Sequence, residues 1–154
     1  LNKTFLHKLK DLRFDNLDNN TILTLFRDGR VFSHFAEPWI SDNYPLVWVK
    51  GCKNWDFYDE KYSPGLVSTE EVIAYDQKTF TLGGCGYRPS NQKGVGRVKN
   101  EEEFIKRSKR LIFCITSNIH LPLVYVRFVK GIDLLRDYPS GEIPFSQHDK
   151  FFDL

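Results

Sequence analysis

Leu111-Ile112-Phe113-Cys114-Ile115-Thr116 is a continuous apolar run of strand length, and only a sheet covered on both faces gives such a run a place to sit. Leu123 to Val129 forms a second run of the same kind. Two strands this apolar need helices on either side, so the chain must build a layered α/β core. At 154 residues with 41% hydrophobic content it is long enough for one well-packed domain and too short for two comfortable ones.

The remaining elements follow from spacing and punctuation. Asn100 before Glu101-Glu102-Glu103 predicts a helix start, with Asn100 as cap, Glu103 at the capping-box position, and Lys106, Arg107, Lys109 and Arg110 towards the far end. Val72 to Phe80 and Leu46 to Val49 read as strands, and Tyr62-Ser63-Pro64-Gly65 as a turn. Apolar Phe5, Leu6, Leu9 and Leu12 predict an amphipathic helix over Thr4 to Leu12. Asp28-Gly29 is a tight-turn dipeptide, so Leu23 to Phe26 and Val31 to Phe35 are expected to form a hairpin, ended at Pro38. Ile132 to Leu135 reads as a short helix, and the tail from Tyr138 to Leu154, with Pro139, Gly141 and Pro144, as irregular. The expectation is an α/β (α+β) fold with a central mixed sheet flanked by helices. One domain spans 1–154: a helical or irregular part at 1–45, a core at 46–130 and a tail at 131–154.

Several function classes drop out early. No apolar run approaches the roughly 20 residues of a membrane span, and the start turns polar too soon for a signal peptide, so a cytoplasmic location is the expectation. Cys52, Cys85 and Cys114 are odd in number and far apart, which argues against a disulfide framework. Those cysteines and His7, His34, His120 and His148 lack zinc-site spacing. Lys93-Gly94-Val95-Gly96-Arg97 lacks the Gly-Lys-Ser/Thr ending of a phosphate-binding loop.

What remains is a charge pattern and one strand. The net charge is +2, yet Arg88 to Arg110 alone holds eight cations against three glutamates, leaving the rest of the chain acidic. A basic belt on an acidic body points to a localised anionic partner such as nucleic acid. In Val72 to Phe80, Asp76 and Lys78 lie two residues apart and so share a strand face, while Gln77 points the other way. By itself the pair is an ordinary same-face ion pair worth about 0.2–1 kcal/mol. A second acid changes its meaning, and Asp56 in Asn54-Trp55-Asp56-Phe57-Tyr58 emerges from apolar neighbours at a suitable distance upstream. Asp59 competes with it but sits in a more solvated Asp59-Glu60-Lys61 stretch.

Together these residues resemble the PD-(D/E)XK nucleases, the restriction-endonuclease-like fold. Asp76-Gln77-Lys78 stands for the (D/E)XK element and Trp55-Asp56 for the Pro-Asp, with Trp55 replacing the proline. The helix at Asn100 to Arg110 and the strand at Leu111 to Thr116 stand for the elements that follow the catalytic strand, and Thr79-Phe80-Thr81-Leu82-Gly83-Gly84 is reminiscent of some blunt-cutting type II restriction enzymes. The resemblance implies a metal-dependent DNA endonuclease of a restriction system, using Mg²⁺ or Mn²⁺. Asp56, Asp76 and the Gln77 backbone carbonyl would be the ligands, and Lys78 would sit beside the attacking water. DNA, as duplex, would be the partner, with a two-fold dimer serving its two strands. Substrate contacts fall to the glycine-rich stretch Gly83 to Lys99: Arg88, Lys93, Arg97 and Lys99 for phosphates, Asn91 and Gln92 for base edges. The rival expectation is a non-catalytic DNA-binding or target-recognition domain. Convergence of the acids beside Lys78 separates the two.

Overall fold

The computed structural model describes residues 1–51, 55–59 and 73–154. The Tyr62 to Gly65 turn and Cys52 lie outside them, as does Asn54.

The apolar runs become the middle of a six-stranded mixed sheet. Its strands are β1 (Thr4–Lys8), β2 (Leu46–Trp48), β3 (Phe57–Asp59), β4 (Ala74–Phe80), β6 (Leu111–Ser117) and β7 (Leu123–Lys130), in the order β1-β7-β6-β4-β3-β2. A separate two-residue strand, β5 (Cys85–Gly86), pairs with β8 (Glu142–Ile143). Only β4 and β6 run parallel in the large sheet, and the chain between them contains helix α3 (Glu101–Arg110). The other helices are α1 (Asn19–Leu25), α2 (Gly29–Asn43), α4 (Gly131–Asp137) and α5 (His148–Phe151). Among the described residues no helix is long and apolar enough to cross a membrane.

Strand periodicity divides the core into two layers. On β6, Phe113 and Ile115 face Phe104 of α3, Leu134 of α4 and the C-terminal Phe151 and Phe152. Cys114, between them, faces the opposite layer with Ile22 of α1 and Phe32, Ala36 and Ile40 of α2. Both faces of β6 are thus dry, which is why its sequence does not alternate. Asn100 caps α3 as its sequence predicts, Oδ1 accepting from the Glu103 N–H at 3.1 Å. Where α4 starts, a Cβ on Gly131 would lie 1.8 Å from the Ser108 carbonyl oxygen, so only glycine lets α4 follow β7 this closely past α3.

Three expectations are corrected. Thr4 to Lys8 is a strand, not a helix: it pairs antiparallel with β7, Thr4 opposite Arg127, and takes up an edge that would otherwise stay open. The expected hairpin around Asp28-Gly29 is two helices. Asp28 Oδ1 accepts the N–H groups of Arg30 at 2.8 Å and Val31 at 3.3 Å, capping α2 instead of closing a turn. Pro38 does not end α2, which continues to Asn43 with Phe32, Ala36 and Ile40 fully buried on one face. That burial offsets the roughly 3 kcal/mol cost of an internal proline. The tail beyond Tyr138 is more ordered than expected, because Phe151 and Phe152 close the first core layer.

Candidate functional site

Strand β4 is covered unevenly. Along β6 it is paired from Ala74 to Phe80, but along β3 the ladder ends at Tyr75 opposite Phe57. Beyond that rung one side of β4 lies open, and Asp56, the residue before β3, turns into the gap. Its own N–H donates to the Tyr75 carbonyl at 2.9 Å, and its carboxylate Oδ2 accepts the Gln77 N–H at 2.7 Å. In an extended strand the carbonyl and N–H of one residue point to the same side, so the Gln77 carbonyl also faces this gap.

The side chains of β4 alternate as its sequence requires. Gln77 donates through Nε2 to Thr116 Oγ1 at 2.7 Å and Thr79 Oγ1 at 3.1 Å, and Thr79 meets Ser33 of α2 at 2.7 Å. Asp76 and Lys78 project on the other face. There Lys78 Nζ lies 2.9 Å from Asp76 Oδ2, and Arg107 of α3 reaches Asp76 Oδ1 at 3.3 Å. Asp76 is only 4% exposed. A pair this sheltered is no sheet-edge surface bridge, and burying one gains little stability because desolvation consumes the attraction. Oδ2 also lacks an aligned hydrogen bond, the Lys78 ammonium being close but off its hydrogen-bonding direction.

Ser33, Asp56, Asp76, Gln77, Lys78, Thr79 and Arg107 line one open cleft of about 1320 Å³. Asp56 is the perturbed group in it, pushed up to about 7 by burial first and by the negative charge of Asp76 second, with Glu37 adding to the rise. The Gln77 N–H and the Lys78 charge pull the other way. Lys93 also lines the cleft, donating to the Gly86 carbonyl at 2.5 Å, and is lowered to about 8 by burial and the nearby Lys78 ammonium. An acid raised and a lysine lowered by burial and like-charged neighbours in one cleft is the kind of electrostatics that functional sites use, though structural ion-pair networks produce it too. Asp56, Asp76 and the Gln77 carbonyl are hard oxygen donors suited to Mg²⁺ or Mn²⁺.

The expected substrate residues divide. Asn91, Lys93 and Arg97 line the cleft. Lys99 is exposed outside its lining. Arg88 is buried at 4% exposure, where it bridges Glu101 at 2.6 Å, donates to the Ser140 carbonyl at 3.0 Å and lies over the Phe104 ring. Gln92 is buried too, its Oε1 accepting the Asn100 N–H at 3.2 Å. These two hold the glycine-rich segment to α3 and the tail and do not face the cleft. Of the two upstream acids, Asp56 lines the cleft, whereas Asp59 sits opposite Leu46 on the β2 side of the sheet.

Sequence spacing misses Glu37, Arg30 and Arg107, which also line the cleft. Glu37 lies one turn after His34 on α2, a spacing that would suit a local contact between them. Its Oε2 accepts instead from the Trp48 indole N–H at 2.9 Å, which fixes the carboxylate near Asp56. The helical period that places Glu37 on the cleft side of α2 becomes readable only once Asp28 is recognised as a cap.

No protein-family model matches the chain, and no curated protein or solved structure matches it.

Proposed function

We propose that this chain is a metal-dependent nuclease with a restriction-endonuclease-like core, hydrolysing phosphodiester bonds in DNA. The observation that carries the reading is the meeting of Asp56 with Asp76-Gln77-Lys78 at the open side of β4. Helix α3 and the parallel strand β6 follow β4 in the order the resemblance implies.

Asp56, Asp76 and the Gln77 carbonyl would hold the divalent ion, which supplies charge neutralisation and a more acidic bound water. Lys78, fixed 2.9 Å from Asp76, stands where it can orient a water and stabilise negative charge growing on the phosphoryl oxygens. Arg107 holds Asp76 from α3. The cleft lining carries both signs, Arg30, Lys78, Lys93, Arg97 and Arg107 facing Asp28, Glu37, Asp56, Asp76 and Glu103, and its cations are the groups that would contact phosphates without reading sequence. Two copies of the chain would serve the two strands of a symmetric duplex.

The test is cleavage of plasmid, linear duplex and single-stranded DNA with Mg²⁺ and with chelator. Cleavage that needs the metal and vanishes in Asp76→Asn is expected. Cleavage indifferent to chelator overturns the mechanism. Tight DNA binding without cleavage under any condition favours the non-catalytic module, for which the Lys78–Asp76–Arg107 cluster would be only a scaffold.

A further inference from the structure

At the Ser117 end of β6, behind Phe80, three side chains with metal-ligand chemistry come together from two separate parts of the sequence. His120 lies in the connection from β6 to β7, and His148 and Asp149 open α5. Their donor atoms all lie within 4.8 Å of one another. None of the three lines the cleft. We propose that His120, His148 and Asp149 form a separate site for Zn²⁺ or a chemically similar divalent transition ion, clipping the β6–β7 connection to the C-terminal segment.

His148 is the fixed member. It is 3% exposed, its ring packed against Phe80 and Phe152 at centroid distances of 5.1 and 5.0 Å. Its Nε2 is 2.8 Å from the Oγ of Ser117, a hydroxyl that also accepts the Ile119 N–H at 3.3 Å. An imidazole held through one nitrogen by a buried oxygen is the arrangement that orients a metal-binding histidine. Its other nitrogen, Nδ1, faces Asp149 Oδ1 at 2.8 Å. At that distance Nδ1–H donates to the carboxylate, and a divalent ion bound there would take the place of that proton.

Ligand bonds of about 2.0–2.2 Å place two donors to one ion no more than roughly 4.3 Å apart. His148 and Asp149 lie within this limit, and His120, in a set spanning up to 4.8 Å, would close the remainder. His120 and Asp149 are exposed, so their side chains can close on an ion while His148 stays put. Two imidazoles and a carboxylate select Zn²⁺-type ions over Mg²⁺, and water completes the coordination. The same atoms also trace a Ser117–His148–Asp149 hydrogen-bonded chain. Ser117 is 0% exposed, so no substrate reaches its hydroxyl and a nucleophilic role is ruled out.

Zn²⁺ titrated calorimetrically into the full chain is expected to fill one site that survives Asp56→Asn and weakens at least about tenfold in His120→Ala and in Asp149→Asn. Zn²⁺ should raise the melting temperature of the parent but not of His120→Ala, since an ion bound only to the folded chain stabilises it. His120 and Asp149 are chosen because, unlike His148, they are exposed and their loss leaves the core intact. Zn²⁺ binding unchanged in His120→Ala, or lost in Asp56→Asn while intact in His120→Ala, overturns the proposal. Neither readout involves DNA cleavage, so the result stands apart from the nuclease reading.

Discussion

The Asp56 carboxylate accepts the backbone N–H of Gln77 at 2.7 Å, across the place where strand β3 stops pairing with β4. That bond satisfies a backbone donor the ladder has abandoned, and it brings one acid to the shoulder of another. Asp56 is therefore both a structural plug and the charge-sensitive member of the site.

Its titration gives the first prediction. Folded, Asp56 keeps its proton up to about pH 7, whereas the unfolded chain releases it near 3.8. Between those values the folded state binds more protons, so stability falls as pH rises and levels off above about 7. The loss is at most about 4 kcal/mol. Urea unfolding from pH 4 to 8 in chelator should show a downward slope that Asp56→Asn flattens; an equal slope in the variant would refute the assignment.

Glu37 supplies the second. Its charge helps raise Asp56, so Glu37→Gln should lower the Asp56 titration and move the acidic limb of the pH–cleavage profile to lower pH. The Trp48 indole keeps an acceptor in the glutamine carbonyl, so the variant should fold normally. An unmoved limb would remove Glu37 from the site.

A third contrast separates cleft cations from buried ones. Arg97→Ala should weaken DNA binding and reduce the slope of log affinity against log salt by about 1. Arg88→Ala should leave that slope alone and cost on the order of 1–3 kcal/mol of stability, because the side chain is packed against Phe104 and bonded to Ser140 and to the more exposed Glu101. Salt-dependent binding and denaturant unfolding of both variants decide it.

The C-terminal end yields a fourth. Phe152 is 1% exposed among Phe80, Tyr125 and Phe151, and Arg127 donates to the Phe151 carbonyl. Phe152→Ala should cost about 3–5 kcal/mol. An effect below 1 kcal/mol in thermal or urea unfolding would show that the segment is not part of the core.

What the sequence reveals and what it hides have the same physical cause. The helix at Glu101 to Arg110 is legible because its cap is local, Asn100 bonding an N–H three residues on. Strand β6 is legible because burial on both faces leaves an unbroken apolar trace, and β7 because Arg127 alone interrupts its apolar run from Leu123 to Val129. Thr4 to Lys8 is not, since its partner Arg127 lies at the far end of the chain and helical spacing over nine residues fits a strand almost as well. Asp28-Gly29 misleads because an aspartate accepting the next N–H groups serves a turn and a helix cap alike. In the site, Asp56, Asp76 and Lys78 carry their own strand context. Glu37 and Arg107 do not, because they belong to helices and join the cleft only through packing. Arg88 looks like its basic neighbours until its burial is known.

The register Phe57 opposite Tyr75 has a consequence for how this architecture can vary. Asp56 is set against Gln77 by the rungs beside it and not by the length of chain that joins β3 to β4. What sets the two acids side by side is a rung of the ladder, so the signature to look for in kindred proteins is an acid one residue before the strand that pairs with the acid-x-lysine strand.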